Sequence, residues 1–241
     1  MMSENDFYDK YYSTHISPRK GEATLGEFRI RAISYQKQFG QLLPKDKKAK
    51  IIDIGCGSGS VTWWLQSVGF DNAIGIDISA EQVGIANKLG VNNIFQANIK
   101  TFLADKLEFY DVVIARDVIE HFSKDDLVDV LSLCHGSLKR NGLVILQAPN
   151  AESPFFGRIR YGDFTHQIAF TTSSLSQLLR MIGYSGIRFF PKRPLVDSAE
   201  SFVRVILWKF VELFYKFLLF VEVGRVQMIV TQDIIAVGKK Q

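Results

Sequence analysis

The chain of 241 residues is 47% hydrophobic and 22% charged, which suffices for one buried core and is short for two full domains. Its 29 Lys and Arg residues and 25 Asp and Glu residues leave a formal net charge of +4. Because the Lys and Arg residues are scattered along the sequence rather than clustered, the charge distribution argues against a dedicated nucleic-acid-binding protein.

The first 45 residues precede any regular alternation of strands and helices. They are polar and aromatic and lack an apolar run, so we expect no secretory signal. Cys56 and Cys134 have neither metal-ligand spacing nor the pattern of a disulfide framework, which is typical of a reducing cytoplasm. We therefore predict a cytoplasmic chain with an N-terminal lid or helical segment at 1–45 and one main domain at 46–241.

Short β-branched runs alternate with longer amphipathic stretches from about Lys50 onward. The runs predict strands near 50–55, 73–77, 93–97, 110–116, 142–148, 185–190 and 226–237. The stretches between them predict helices near 59–68, 80–89, 123–138 and 172–182. Strands and helices in alternation predict an α/β fold built on a doubly wound parallel sheet.

Residues 197–223 interrupt this alternation with a long, aromatic-rich helical pattern before the last strand. On a helix one side carries the polar residues Arg204, Lys209, Glu212 and Lys216, and the wider side carries Phe202, Ile206, Phe210, Leu213, Phe217 and Phe220. Each charge in the middle of a membrane span costs about 2.5–3.5 kcal/mol, so we predict an amphipathic helix rather than a span. Its apolar side can rest on the protein's own core, on a homodimer partner, or on the inner face of the cell membrane as a peripheral contact through 198–222.

The segment Ile51–Gly59 is an apolar strand that runs into three glycines at alternate positions and then opens a helix. Gly55, Gly57 and Gly59 let the backbone approach a nucleotide-type ligand, and the helix start supplies free N–H groups. Asp53, at the end of the strand, can accept hydrogen bonds from a cationic amino group of the ligand. Without such a partner, burying the charge of an aspartate inside an apolar strand would cost free energy.

A second acidic residue, Asp77, ends the next strand eighteen residues after Gly59. At this position a carboxylate can accept hydrogen bonds from two ribose hydroxyls. The alternative is that Asp77 only caps the helix that follows it. A dinucleotide fingerprint would require glycine where this chain has Ser60, so the spacing argues against an NAD oxidoreductase.

The ordered motifs IIDIGCGSG, GIDIS, QANIKTF and DVVIARDVIEHF resemble those of class I S-adenosylmethionine (SAM)-dependent methyltransferases. The match covers residues 48–190 and the terminal strand. The resemblance implies a seven-stranded Rossmann-like sheet whose last strand is antiparallel, with the amphipathic helix inserted before that strand. It also implies that SAM is the cofactor.

The resemblance extends to the residues that contact SAM. It implies that the glycine turn, including Cys56, holds the cofactor together with Asp77 and its neighbour Ile78, and that Asn98 and Ile99 meet the adenine ring. Asn98 stands where the family often has an acidic residue. Arg116 and Asp117, at the tip of the fourth strand, would lie beside the methionine part of SAM. The N-terminal segment would close over the site so that Tyr11 or Tyr12 touches the cofactor's carboxylate.

Four residues resemble the metal-binding set of small-RNA 2′-O-methyltransferases and of quinone-biosynthesis O-methyltransferases. They are Asp117, Glu120 and His121 after the fourth strand and His166 in a later loop, with Asp117 in place of the first glutamate of those families. The resemblance implies a divalent ion, Mg²⁺, Mn²⁺ or Zn²⁺, that grips adjacent oxygens of the acceptor. The residues leave two further interpretations open: a metal-free site in which His121 or His166 is a general base with Asp163 nearby, and purely structural histidines.

The loop from Pro149 to Asp163 is long and combines Arg, Tyr, Phe and Asn. It resembles the same region of methyltransferases from polysaccharide and O-antigen clusters, which implies O-methylation of a sugar hydroxyl on a surface glycan or on its nucleotide- or lipid-linked precursor. Arg158 and Arg160 would then hold a diphosphate. The first alternative is a quinone- or catechol-type O-methyltransferase. An alternative of another class is a non-catalytic SAM-binding module that serves a partner enzyme.

Overall fold

The computed structural model describes residues 8, 10–194, 198–224 and 226–241, and of Lys20 the backbone alone. Its strands in chain order are β1 Ile51–Ile54, β2 Ile74–Asp77, β3 Ile94–Gln96, β4 Tyr110–Arg116, β5 Leu138–Pro149, β6 Tyr184–Pro191 and β7 Asp233–Lys240. They form one seven-stranded sheet in the order β3-β2-β1-β4-β5-β7-β6. All neighbouring pairs are parallel except those of β7, which runs antiparallel to β5 and β6. The predicted doubly wound fold, including the antiparallel last strand, is confirmed.

The α-helices are α1 Ser17–Lys20, α2 Leu25–Phe39, α3 Ser60–Ser67, α4 Ala80–Lys88, α5 Ile99–Leu103, α6 Lys124–Ser137, α7 Phe156–Arg160, α8 Thr172–Ile182 and α9 Ala199–Val223. The four predicted helices between strands correspond to α3, α4, α6 and α8, with ends within two residues of the predicted ones. The short helices α5 and α7 were not predicted, because five residues are too few to show a helical period.

Side chains alternate between the two faces of the sheet, as the two-residue period of a strand requires. On β1, Ile51 packs against α2 and α3, whereas Ile52 packs against α6 and α8 on the opposite face. Trp64 of α3 is the largest fully buried side chain on the first face. Burying a large aliphatic or aromatic side chain stabilises the fold by about 1.5–3 kcal/mol, so both faces contribute to one core.

Helix α2 belongs to this core although it lies inside the predicted N-terminal segment at 1–45. Phe28 and Phe39 are fully buried, and Phe39 shares a hydrophobic cluster with β1. The structure therefore divides that segment into a core helix and a shorter stretch, residues 10–20, which we call the N-terminal segment. Residues 1–7 and 9 of the predicted lid lie outside the described residues.

The last strand begins seven residues later than predicted, at Asp233 rather than 226. The amide of Asn150 explains the difference, because its Nδ2 donates to the carbonyls of Ile229 at 2.6 Å and Thr231 at 2.8 Å. These carbonyls are bonded to a side chain rather than to a neighbouring strand. Residues 226–232 therefore form no strand, and Asn150 holds their last four residues beside the end of β5.

Helix α9 is the predicted insertion, with Asp197 of the predicted range outside the described residues. Ser198 caps it, accepting from Ser201 N, and none of its described residues is buried. Among the helices that the structure describes, none is both long enough and apolar enough to cross a membrane.

Candidate active site

The sheet order reverses between β1 and β4, and in doubly wound folds ligands bind at the carboxyl ends of the strands at this point. Gly55, Gly57 and Gly59 follow β1 with φ of 65°, 56° and 84°, in the left-handed region that favours glycine. A Cβ on Gly55 would lie 2.3 Å from Cγ2 of Val118. The turn therefore needs glycine for its backbone conformation and, at Gly55, for its close contact with the chain after β4.

Asp77 ends β2 beside this turn. Its Oδ2 accepts a 2.7 Å hydrogen bond from Gly57 N, and its Oδ1 accepts a 2.9 Å bond from Ser79 N. The side chain is 8% exposed. Asp77 thus joins the glycine turn to the start of α4, and the helix cap itself is Ser79, whose hydroxyl accepts from Gln82 N. The predicted contact with ribose stays a prediction.

Asp53 is almost completely buried at the end of β1, where it accepts a 3.2 Å hydrogen bond from the hydroxyl of Thr62. Burial raises its pKa to about 7, although Arg116 and Thr62 act in the opposite direction. Arg116 ends β4 with its guanidinium 5.2 Å from the ring centre of Tyr35 and 3.3 Å from Asp117 Oδ2. Asp53 and Arg116 therefore lie on the two neighbouring strands at the switch point, and the charge of each shifts the pKa of the other.

The predicted adenine residues lie at the start of α5. Asn98 is its N-cap, and the side-chain oxygen accepts from Lys100 N at 2.9 Å. Asparagine serves as a helix cap about as well as aspartate does, which accounts for the departure from an acidic residue at this position. Ile99 follows as the first helical residue, partly buried against the core.

Glu120, His121 and His166 come together beyond the end of β4. One ligand atom from each lies within 4.8 Å of the others, and His166 Nε2 is 3.9 Å from Glu120 Oε1. Glu120 is 1% exposed, and its Oε2 has no hydrogen-bond partner among the described residues. Burial raises the pKa of Glu120 well above its usual range, and Asp117 adds to this.

The two histidines are held differently. His166 Nδ1 lies 3.1 Å from the carbonyl of Ile159, which can only accept, so Nδ1 donates to it. His121 Nδ1 lies 2.9 Å from the hydroxyl of Thr165. Burial, followed by the neighbouring His166, lowers the pKa of His121 to about 4, so the ring is neutral near pH 7.

Asp117 does not join this cluster. It adopts φ of 57°, and a 3₁₀ turn at Ile119–His121 follows, so the chain after β4 does not form the α-helical face that would align it with Glu120 and His121. Its carboxylate instead accepts from Gln147 Nε2 at 2.6 Å and from Arg116. The structure thus assembles three of the four residues predicted as metal ligands and places the fourth at the cofactor side.

The N-terminal segment contacts two elements that border this site. The Tyr11 hydroxyl donates to Asp163 Oδ2, and His15 Nε2 lies 3.2 Å from the same oxygen. Ser13 N donates to Glu81 of α4 at 3.1 Å. The predicted lid and the predicted contact of Tyr11 with SAM both stay predictions.

The loop before His166 is also held internally. The Arg160 guanidinium donates to the carbonyls of His166 and Gln167, and it is therefore occupied by the loop itself. Arg158 is exposed. Of the two residues predicted to hold a diphosphate, the structure leaves Arg158 in a position open to solvent.

Thr165 was missed by the sequence reasoning. Its backbone N–H donates to Asp163 Oδ1 at 2.9 Å, and its hydroxyl donates to the same oxygen at 2.6 Å. The signal was present, because an aspartate two residues before a threonine is typical of a turn in which the carboxylate accepts from the following backbone. The hydroxyl's second partner, His121, is 44 positions away and carried no such signal.

Known proteins resemble this chain in sequence. A family model described as a methyltransferase domain matches residues 26–188. Ubiquinone biosynthesis O-methyltransferases match a shorter stretch: that of Rickettsia felis is 36% identical over 108 residues, 43% of this chain and 42% of the relative. That of Sinorhizobium fredii is 30% identical over 108 residues, with the same coverage. The alignments span about two fifths of the length of these curated relatives.

Solved structures share the fold over most of the chain. A SAM-dependent methyltransferase from Archaeoglobus fulgidus superposes with a TM-score of 0.65 at 22% identity, covering 90% of this chain and 98% of its own. A possible histamine N-methyltransferase from Thermotoga maritima has a TM-score of 0.64 at 18% identity, covering 97% and 100%. At these identities the likeness concerns the fold alone.

Proposed function

The chain belongs to the methyltransferase-domain family, and from this membership we propose that it transfers the methyl group of SAM to a hydroxyl oxygen that has a second oxygen beside it. The prediction of a SAM-dependent methyltransferase is confirmed at the level of family and fold. The observation that carries the choice of an oxygen acceptor is the cluster of Glu120, His121 and His166 beyond β4.

Methyl transfer from a sulfonium is an in-line displacement, so the enzyme mainly aligns the acceptor and removes its proton. Asp53 and Asp77 suit the amino group and the ribose of SAM. The acceptor hydroxyl then lies between the cofactor and the histidine cluster. His121, whose ring is neutral, offers a nitrogen lone pair that can take the hydroxyl proton as the new C–O bond forms and the bond from the methyl carbon to sulfur breaks.

The same three residues fit a divalent cation. Two imidazoles and one carboxylate are ligands common to zinc and manganese sites, and Glu120 Oε2, which has no hydrogen-bond partner among the described residues, is a buried acceptor that a cation would satisfy. Glu120, His121 and His166 would hold it. A bound cation would lower the pKa of the acceptor hydroxyl and orient the neighbouring oxygen.

We propose a catechol-type ring as the first acceptor class, because the curated relatives that match are named ubiquinone biosynthesis O-methyltransferases. A sugar diol is the second candidate. Exposed Arg158 at the acceptor loop supports it, since a guanidinium there suits the diphosphate of a nucleotide- or lipid-linked sugar. Both classes present two adjacent oxygens to the cluster.

The test is transfer of a labelled methyl group from SAM to catechols and to nucleotide sugars, in chelator-treated protein with and without Mg²⁺, Mn²⁺ or Zn²⁺. Each acceptor is paired with an analogue that lacks the second hydroxyl. We expect metal-stimulated turnover of catechols and its loss in Glu120→Gln, with the exposed Glu108→Gln as control. Turnover of sugars but not of catechols would favour the sugar diol as the acceptor. Turnover that does not depend on added metal would contradict a bound cation. Binding of SAM without turnover of any acceptor would support a non-catalytic SAM-binding module.

We also propose that α9 rests on the membrane surface. Eleven exposed apolar residues occupy an arc of about 160°, with Glu200 at one edge of it. They are Phe202, Val203, Ile206, Leu207, Phe210, Leu213, Phe214, Phe217, Leu218, Phe220 and Val221. Lys209 and Lys216 border this arc and can reach anionic headgroups. The ring of Trp208 lies 6.3 Å from that of Phe155 in the acceptor loop, so a membrane-borne acceptor would arrive beside the site.

A further inference from the structure

Thr165 lies between His121 and Asp163 with its hydroxyl within hydrogen-bond distance of both. Oγ1 is 2.6 Å from Asp163 Oδ1 and 2.9 Å from His121 Nδ1. A hydroxyl has one hydrogen to donate and can accept through its lone pairs. The directions of the two bonds therefore follow from which partner can only accept.

Asp163 is that partner, because an ionised carboxylate has no hydrogen to give. Its Oδ1 accepts from the backbone N–H and the hydroxyl of Thr165, and its Oδ2 accepts from the hydroxyl of Tyr11, so both oxygens act as acceptors. The Thr165 hydrogen is thus directed to Asp163. Oγ1 must then accept from His121, and His121 must carry its proton on Nδ1.

We propose that Thr165 is a positioning residue that holds His121 in the Nδ1–H tautomer and so presents the lone pair of Nε2 to the acceptor site. The use of that lone pair, as a metal ligand or as a base, rests on the proposed function. The tautomer itself does not, because it follows from Thr165 and Asp163 alone.

The surrounding contacts make this arrangement rigid. Asp163 Oδ1 accepts from both the backbone and the hydroxyl of Thr165, and Tyr11 holds the other carboxylate oxygen. His166 is fixed separately by the carbonyl of Ile159. The Nδ1 atoms of the two histidines are therefore bonded to different partners, so Thr165 acts on His121 alone.

The experiment is a long-range ¹H–¹⁵N correlation spectrum of the chelator-treated, histidine-labelled protein at pH 7.5. The chain has four histidines, and single His→Gln variants assign their signals. We expect His121 to show a protonated Nδ1 and an unprotonated Nε2 in the wild type. Thr165→Val, which keeps the side-chain shape without the hydroxyl, should lose this pattern, and Thr165→Ser should retain it.

Zinc titration of the same proteins gives a second readout that needs no turnover. Loss of an outer partner of a metal-ligating histidine lowers metal affinity by about 10–100-fold. We expect that loss in Thr165→Val and recovery in Thr165→Ser, with the His166 signals unchanged in both.

The inference is overturned if wild-type His121 carries its proton on Nε2, or if Thr165→Val leaves the His121 pattern intact. The wild-type spectrum decides even if the valine variant does not fold. An Nδ1–H tautomer without zinc binding would contradict the cation in the proposed function and uphold the role of Thr165.

Discussion

Asp53 and Asp77 are the two carboxylates on which the assignment of a SAM site depends. Each interrupts an apolar strand, and burying a charge is costly unless something compensates for it. Both are buried at the ends of neighbouring strands, and Asp77 accepts from two backbone N–H groups.

Replacing Asp77 with Asn tests the ribose contact. Hydrogen bonds to a charged group contribute about 1.5–3 kcal/mol, so we expect SAM affinity measured by calorimetry to fall about tenfold or more. Comparison of adenosine with 2′-deoxyadenosine separates ribose binding from support of the glycine turn. The wild type should discriminate between them and Asp77→Asn should not; equal discrimination in both proteins would assign Asp77 to the turn alone. The exposed Asp105→Asn is the control.

SAM binding should depend on pH through Asp53. Burial raises its pKa to about 7 in the cofactor-free protein, so the carboxyl is mostly protonated at pH 5.5. Binding of a cationic amino group requires the ionised form and releases this proton. Affinity should therefore rise roughly tenfold between pH 5.5 and pH 7, and the weaker binding by Asp53→Asn should not change over that range. Affinity of the wild type that is constant with pH would refute the contact.

At the scale of elements, the periodicity of the sequence predicted the long helices and the strands. It failed where a side chain, rather than a neighbouring strand, bonds to the backbone. β7 begins later in the chain than predicted because the side-chain amide of Asn150 donates hydrogen bonds to the carbonyls of residues 229 and 231. The residues after β4 were expected on one helical face, but Asp117 has a positive φ and a 3₁₀ turn follows. Such local departures depend on contacts that no window of sequence contains.

The glycine turn after β1 is the element least tolerant of substitution. Gly55→Ala adds a Cβ at positive φ and 2.3 Å from Val118 Cγ2. We expect a loss of about 1–3 kcal/mol in the free energy of unfolding in urea, together with weaker SAM binding. Gly84→Ala, in helix α4 with no atom within 4 Å of the added Cβ, should stabilise the protein by about 0.5–1 kcal/mol. Equal stability of the Gly55 variant and the wild type would contradict the packing described here.

The apolar face of α9 is tested with vesicles of phosphatidylglycerol and phosphatidylcholine. We expect wild-type protein to sediment with them and the double variant Phe210→Glu, Phe217→Glu to remain in the supernatant, since two charges would enter the apolar layer. Leu107→Glu with Met181→Glu places the same charges on exposed apolar side chains outside α9 and should behave as the wild type. If the wild type does not sediment with vesicles but forms a dimer, and the Phe210→Glu, Phe217→Glu variant is monomeric, then α9 is instead a contact between subunits.

At the scale of the whole molecule, the site is assembled from three parts of the chain. The strand ends and the turn after β4 supply Asp53, Asp77 and Glu120, the loop after β5 supplies His166, and the N-terminal segment contacts Asp163 and α4 through Tyr11 and Ser13. The ordered motifs predicted the first part, because strand ends meet at one edge of a parallel sheet. The contact of the N-terminal segment with Asp163 is tertiary, and the only sequence signal for it was the aromatic composition of the segment.

Calorimetric titration of SAM and then S-adenosylhomocysteine into chelator-treated protein tests the central claim most directly. We predict that each binds at one site per chain and that the second displaces the first, since both contain the adenosine and amino acid parts that Asp77 and Asp53 suit. Failure of both to bind would contradict the assignment of this site to SAM-dependent methyl transfer.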